Sequence, residues 1–101
     1  MFKEIVSLVS YVDGTNEMGD PIKVPTLREV FANRLSIKQS EFYQAMSVGM
    51  RPEITFEVRI IDYTQENLLN YKGKPYTIIR TYEKQNEFIE LVCQGLVNGV
   101  I

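Results

Sequence analysis

The carboxylates whose spacing could serve acid–base chemistry are Glu53, Glu57 and Asp62. A carboxylate pair divides general-acid and general-base work only when its surroundings keep one member protonated and the other ionised. These three fall on a strand with solvent-facing spacing, and no second type of reactive group accompanies them. They read as a solvated face. Cys93 could be a nucleophile, but a thiol needs a base or a cationic pocket to become a thiolate. Its neighbours are Leu91, Val92 and Leu96, the setting of a cysteine that packs as a small hydrophobe. Gly14 and Gly19 lack the spacing and the following lysine of a phosphate-cradling loop and read as turn residues. Tyr43, Tyr63, Tyr71, Tyr76 and Tyr82, with Arg59 and Arg80, could stack single-stranded bases on a barrel face. With 11 cationic and 13 acidic side chains and a pI near 5.1, the chain lacks the basic surplus that phosphate binding needs. Cross-strand packing is the commoner use of such aromatics.

The absences narrow the field further. Without histidine, imidazole bases, Ser-His-Asp triads and His-ligated zinc are excluded. One cysteine makes neither an internal disulfide nor a Cys₄ metal site. The expectation is a protein that is not an enzyme and holds no cofactor or metal. Its 101 residues, 45% hydrophobic and 24% charged, suit one globular domain spanning 1–101. Lys3, Glu4, Ser7 and Ser10 interrupt the first twelve residues, which therefore lack a signal peptide's apolar core. No segment approaches the ~18 apolar residues of a membrane span. A soluble, intracellular chain without membrane partners is expected.

The elements that would position these residues are mainly strands. In 53–62, Ile54, Phe56, Val58 and Ile60 alternate with Glu53, Thr55, Glu57 and Arg59, as a half-buried strand requires. Residues 76–83 and 87–97 are rich in β-formers. Ile89, Leu91, Cys93 and Val97 share one face of the latter, with Glu90 and Gln94 opposite. Lys84-Gln85-Asn86 is a connector of hairpin length, and 70–75, with Gly73, is a second tight reversal. Residues 3–12 and 27–35 are strands of mixed facing, and Pro25 fits only a strand edge or start. Between them, 13–25 is expected as an exposed, mobile loop, acidic and full of turn formers. Ser36 and Gln39 have capping-box spacing, and Phe42, Ala45, Met46 and Gly49 recur at helical steps before Pro52. The sum is a small antiparallel β-barrel or sandwich of about five or six strands, with one short helix between the second and third.

Residues 36–52 have two readings, a lid on an open end of the barrel or an interaction element. Phe42, Tyr43, Met46, Val48 and Met50 put apolar and aromatic surface on one short piece, and such side chains are favoured at partner contacts.

Ser40-Glu41-Phe42-Tyr43-Gln44-Ala45 follows Phe31-Ala32-Asn33-Arg34, and precedes Tyr71-Lys72-Gly73-Lys74-Pro75-Tyr76-Thr77-Ile78-Ile79-Arg80 and Leu91-Val92-Cys93. This order resembles the head-closure proteins of tailed bacteriophages, also called head–tail joining, adaptor or stopper proteins. Asn16-Glu17-Met18-Gly19 is similar to the turn those proteins carry in their first loop. Phe31 stands where many members have tryptophan, which keeps an aromatic anchor. The resemblance implies a β-barrel that assembles as a homo-oligomeric ring below the portal, retains packaged DNA without sequence-specific contact, and offers the tail a docking surface. It implies portal or adaptor and tail proteins as partners, the virion head–tail interface as location, and the host cytoplasm during assembly. In such proteins the segment matching 36–51 projects towards the channel and closes it. On this reading Phe42, Tyr43, Met46 and Met50 make inter-subunit or plug contacts, while Glu17 and Met18 in the first loop touch the portal-side or tail-side partner. Two alternatives are a tail-completion or tail-terminator subunit and a barrel that binds single-stranded nucleic acid.

Overall fold

The computed structural model describes residues 3–84 and 87–96. The chain runs β1 (Glu4–Thr15), β2 (Pro21–Leu35), α1 (Gln39–Met46), β3 (Ile54–Arg59), a 3-10 turn (Ile60–Asp62), β4 (Leu68–Tyr71), β5 (Lys74–Glu83) and β6 (Phe88–Gly95). The strands pair antiparallel and close as a barrel in the order β1-β2-β3-β6-β5-β4. This is the mainly β architecture expected, with the helix between the second and third strands.

Period-2 alternation builds the core. Val6 and Leu8, Val30 and Ala32, Ile54, Phe56 and Val58, and Ile89, Leu91 and Cys93 all point inward and are buried. Phe56 is fully enclosed, its ring 4.8 Å from that of Tyr71 at an interplanar angle of 60°. Tyr71 and Tyr76 belong to this core, so aromatics that could have stacked bases pack against each other and their neighbours instead. Closure between β1 and β4 pairs barrel edges that would otherwise stay open.

The reversal at 70–75 centres on Lys72 and Gly73, both at positive φ (51° and 79°), the two-residue turn whose twist matches antiparallel strands. The four-residue β4 that enters it is too short to show its own alternation in sequence. Lys84 N–H donates to the Phe88 carbonyl across the next turn, 2.8 Å; Gln85, Asn86 and Val97 lie outside the described residues.

Three expectations need correction. Residues 13–25 are not a loop. β1 and β2 pair without interruption from Glu4↔Ala32 to Thr15↔Pro21, and only 16–20 turns. There Asn16 Oδ1 accepts from the N–H groups of Met18 and Asp20, both 2.9 Å, and Gly19 sits at φ 84°. The β-branched Ile22 and Val24 favour strand on this flank. β4 reaches β1 only at Ser7–Val9, and β3 reaches β2 only at Asn33–Leu35. The hairpin beyond Ser10 and Thr26 is therefore a two-stranded arm with both edges open, and it lengthens the molecule to 50 × 31 × 21 Å. Pro25 sits on its open edge.

The capping box does not form. Lys38 is the N-cap, extended at φ −71°, ψ 139°, with no side-chain cap, and α1 has eight residues. Its exit matches expectation: Gly49 takes φ 83°, and the Met50 N–H returns to the Ala45 carbonyl, 2.9 Å.

Nor does 36–52 project freely. Thr55 and Val92 pair with each other and face away from the core by register, yet they are 3% and 0% exposed. Something covers the outer wall there. The Arg51 N–H donates to Gln94 Oε1 (2.7 Å) and the Glu53 N–H to the Cys93 carbonyl (2.8 Å), while Ala45 and Pro52 are buried. These ties hold the helix-bearing segment against the outside of β3 and β6. It neither fills the barrel nor leaves it.

Candidate interaction surfaces

The six side chains picked from sequence form two groups that one protomer keeps apart. Tyr43, Met46 and Met50 are exposed on and after α1, and Phe42 is half-buried beside them, its ring edge-on to Tyr43 at 6.1 Å. Glu17 and Met18 are at the arm tip, Met18 86% exposed. β2 leads from one group to the other, so the length of that strand separates them.

The arm holds surface that sequence reading missed. Val12 and Val24 pair directly, Gly14 lies opposite Ile22, and all three aliphatic side chains are exposed on the face continuous with the barrel core. Gly14 belongs here for want of a side chain: a Cβ would lie 2.9 Å from Val24 Cγ2. On the other face Tyr11 and Leu27 are exposed, and Lys23 is ion-paired with Asp13. The signal was present in Ile22-Lys23-Val24-Pro25, which alternates, but the turn formers around it outweighed it. On the barrel wall, Ile5 and Phe31 pair across strands while 52% and 61% exposed. Phe31 is thus a surface aromatic and not a core anchor. At the helix end a groove of about 620 Å³ is lined by Leu35, Ile37, Phe42, Pro52 and Ile54, with Arg34, Ser36 and Glu53 at its polar margin.

The polar side chains hold the frame. Glu66, buried where the 63–67 loop meets the arm's base, accepts from Arg28 Nη2 (2.9 Å), Thr64 N–H (2.9 Å) and Thr64 Oγ1 (2.9 Å). Burial pushes its carboxyl up, but these donors outweigh it and hold the pKa below the usual carboxylate value. Lys84 bridges Glu57 and Glu90, 2.8 Å to each, and its hydrogen bond holds Glu57 low despite partial burial. Glu53 accepts from the Gly95 N–H and lies 3.6 Å from Lys74. The paired carboxylates are therefore structural ties. Burial pushes the Cys93 thiol up to about 12, far from a reactive thiolate. Among the described residues no group of three or more cysteine and carboxylate side chains is placed to hold a metal ion, and no helix is long and apolar enough to cross a membrane.

Among the described residues Glu17 and Asp20 at the arm tip have no ion pair, and neither do Lys3, Glu4, Arg34, Lys38 and Arg51. Lys38 lines a cavity with Tyr82, Lys84 and Glu90. No family model matches the chain, and no curated protein matches it.

Proposed function

We propose that this chain is a head-closure, or head–tail joining, protein of a tailed bacteriophage. As a structural subunit it forms a ring below the portal, retains packaged DNA in the channel and gives the tail a docking surface. The observation that carries the reading is the distribution of exposed apolar side chains on a closed barrel. Most of them lie on the arm and on the segment after β2, with Ile5, Phe31, Ile61 and Tyr82 exposed elsewhere on the barrel. Patches of this kind mark contact surfaces. The order of motifs that resembles head-closure proteins runs through both regions. Tyr71, Tyr76 and Cys93 belong to the core, and the acidic balance suits a channel that passes DNA without holding it.

The test replaces Tyr43 and Met46 together by alanine in the phage that encodes the chain. Both are exposed, so the purified variant should keep the melting temperature of the parent. Particles carrying it should lose packaged DNA or fail to join tails. Full, tailed and infectious particles would refute the role assigned to this segment.

A further inference from the structure

Part of β2 has no strand beside its outer edge among the described residues. The Asn16 N–H donates to the Asp20 carbonyl, 3.0 Å, and the β1–β2 register runs on from there without a bulge. In an antiparallel pair, alternate residues turn both backbone polar groups towards the same neighbour. The even-numbered residues of β2 therefore bond β1, and the odd-numbered ones turn their N–H and C=O groups to the other side. β3 takes that side only at Asn33–Leu35. It then stays with β6, pairing Arg59 with Phe88 and donating the Ile60 N–H to the Glu87 carbonyl, 2.8 Å. At the other limit, Pro25 has no N–H to offer. Leu27, Glu29 and Phe31 are left between them, with no backbone partner on this side among the described residues.

The same three residues turn their side chains to the outer wall. All are exposed, Leu27 by 56% and Phe31 by 61%. Glu29 stands between the two apolar side chains and has no ion pair among the described residues. A hollow of about 190 Å³, lined by Ile5, Glu29, Val30 and Phe31, adjoins the edge. An unpaired edge is a template for another strand, and cross-strand neighbours decide which strand fits. A second copy fits badly. Antiparallel pairing of 27–31 with itself sets Leu27 against Phe31 and Glu29 against Glu29, and like charges directly opposite are destabilising. A strand that carries a cation between two apolar side chains complements all three residues.

We propose that 27–31 is a docking edge for an extended segment of a different protein, in which a lysine or arginine lies between two apolar residues on one face. The segment adds a strand to β2. Its backbone bonds Leu27, Glu29 and Phe31, its cation pairs with Glu29, and its apolar side chains pack on Leu27 and on Phe31 with Ile5. The site goes beyond the head-closure reading and does not depend on it.

The experiment titrates the isotope-labelled full-length chain, followed by amide NMR, with the acetylated and amidated peptide Thr-Val-Thr-Lys-Thr-Val-Thr. In the free chain the amides of Leu27, Glu29 and Phe31 should exchange quickly with solvent, while those of Arg28 and Val30, bonded to β1, should be protected. Peptide at millimolar concentration should shift and protect the three odd-numbered amides. Glu29→Lys should weaken this binding at least about tenfold, and replacing the peptide's lysine by glutamate should restore it. An unchanged melting temperature establishes that the variant folds. Slow exchange of the three amides in the free chain that deepens with protein concentration would overturn the proposal in favour of pairing between copies. Slow exchange at every concentration would overturn it by showing the edge already covered. A peptide that shifts no amide, or shifts those of Tyr11 and Asp13 on the arm's other edge instead, would overturn it as well. Each of these failures leaves the DNA-retention test above standing.

Discussion

Glu66 shows how one side chain fixes the arm's base. Its carboxylate gathers Arg28 from β2 and Thr64 from the loop before β4, so barrel closure and arm direction share one buried charge. The folded chain holds this carboxyl below its ordinary 4.5, as it does Glu57. Between the folded and ordinary values the unfolded chain binds more protons, so stability rises with pH there. Both contributions are fully present above about pH 4.5 and are lost as pH falls through the folded values. Glu66→Gln should flatten part of that acid slope in urea-unfolding midpoints and cost roughly 1–3 kcal/mol at pH 7. An unchanged slope would place the acid sensitivity elsewhere. Cys93 makes the opposite prediction. With its thiol pushed up to about 12 and fully buried, it should resist thiol reagents at pH 8 in the folded chain and react within seconds in denaturant. Rapid labelling of the folded chain would show that β6 opens locally.

At the scale of elements, α1 is held by few side chains. Ala45 is its one buried residue among those whose side chains are described, and eight residues are too few for a helix to persist without support. Ala45→Asp should therefore loosen the helix from the wall. Helical ellipticity at 222 nm should fall while the barrel keeps its cooperative melt, since the main core lies on the other face of β3 and β6. Loss of the whole melt would make α1 part of the folding unit. The strands that line this core were legible because Ile54, Phe56 and Val58, and Ile89, Leu91 and Cys93, alternate against polar neighbours. The arm was not. Asp13, Gly14, Asn16, Gly19 and Pro21 cluster as in a loop, and only pairing across the hairpin, which sequence periodicity cannot reveal, makes their flanks strand. The helix start was misplaced for a related reason: Ser36 and Gln39 have cap spacing, but the chain leaving β2 stays extended through Lys38.

Across the whole molecule, a closed barrel 50 Å long carries exposed apolar side chains on its arm and on the segment after β2, the surfaces that the proposed function would use. Met18 and Tyr43, proposed here as interaction residues, were legible as apolar types, and both are exposed. Their separation emerged only from strand order. The most direct measurement of the head-closure role is the DNA content of particles assembled without this chain, before and after the purified protein is added. Capsids that package DNA, lose it and remain tailless, then retain it and join tails once the protein is restored, are the predicted result. Particles that stay full and tailed in its absence would contradict the account.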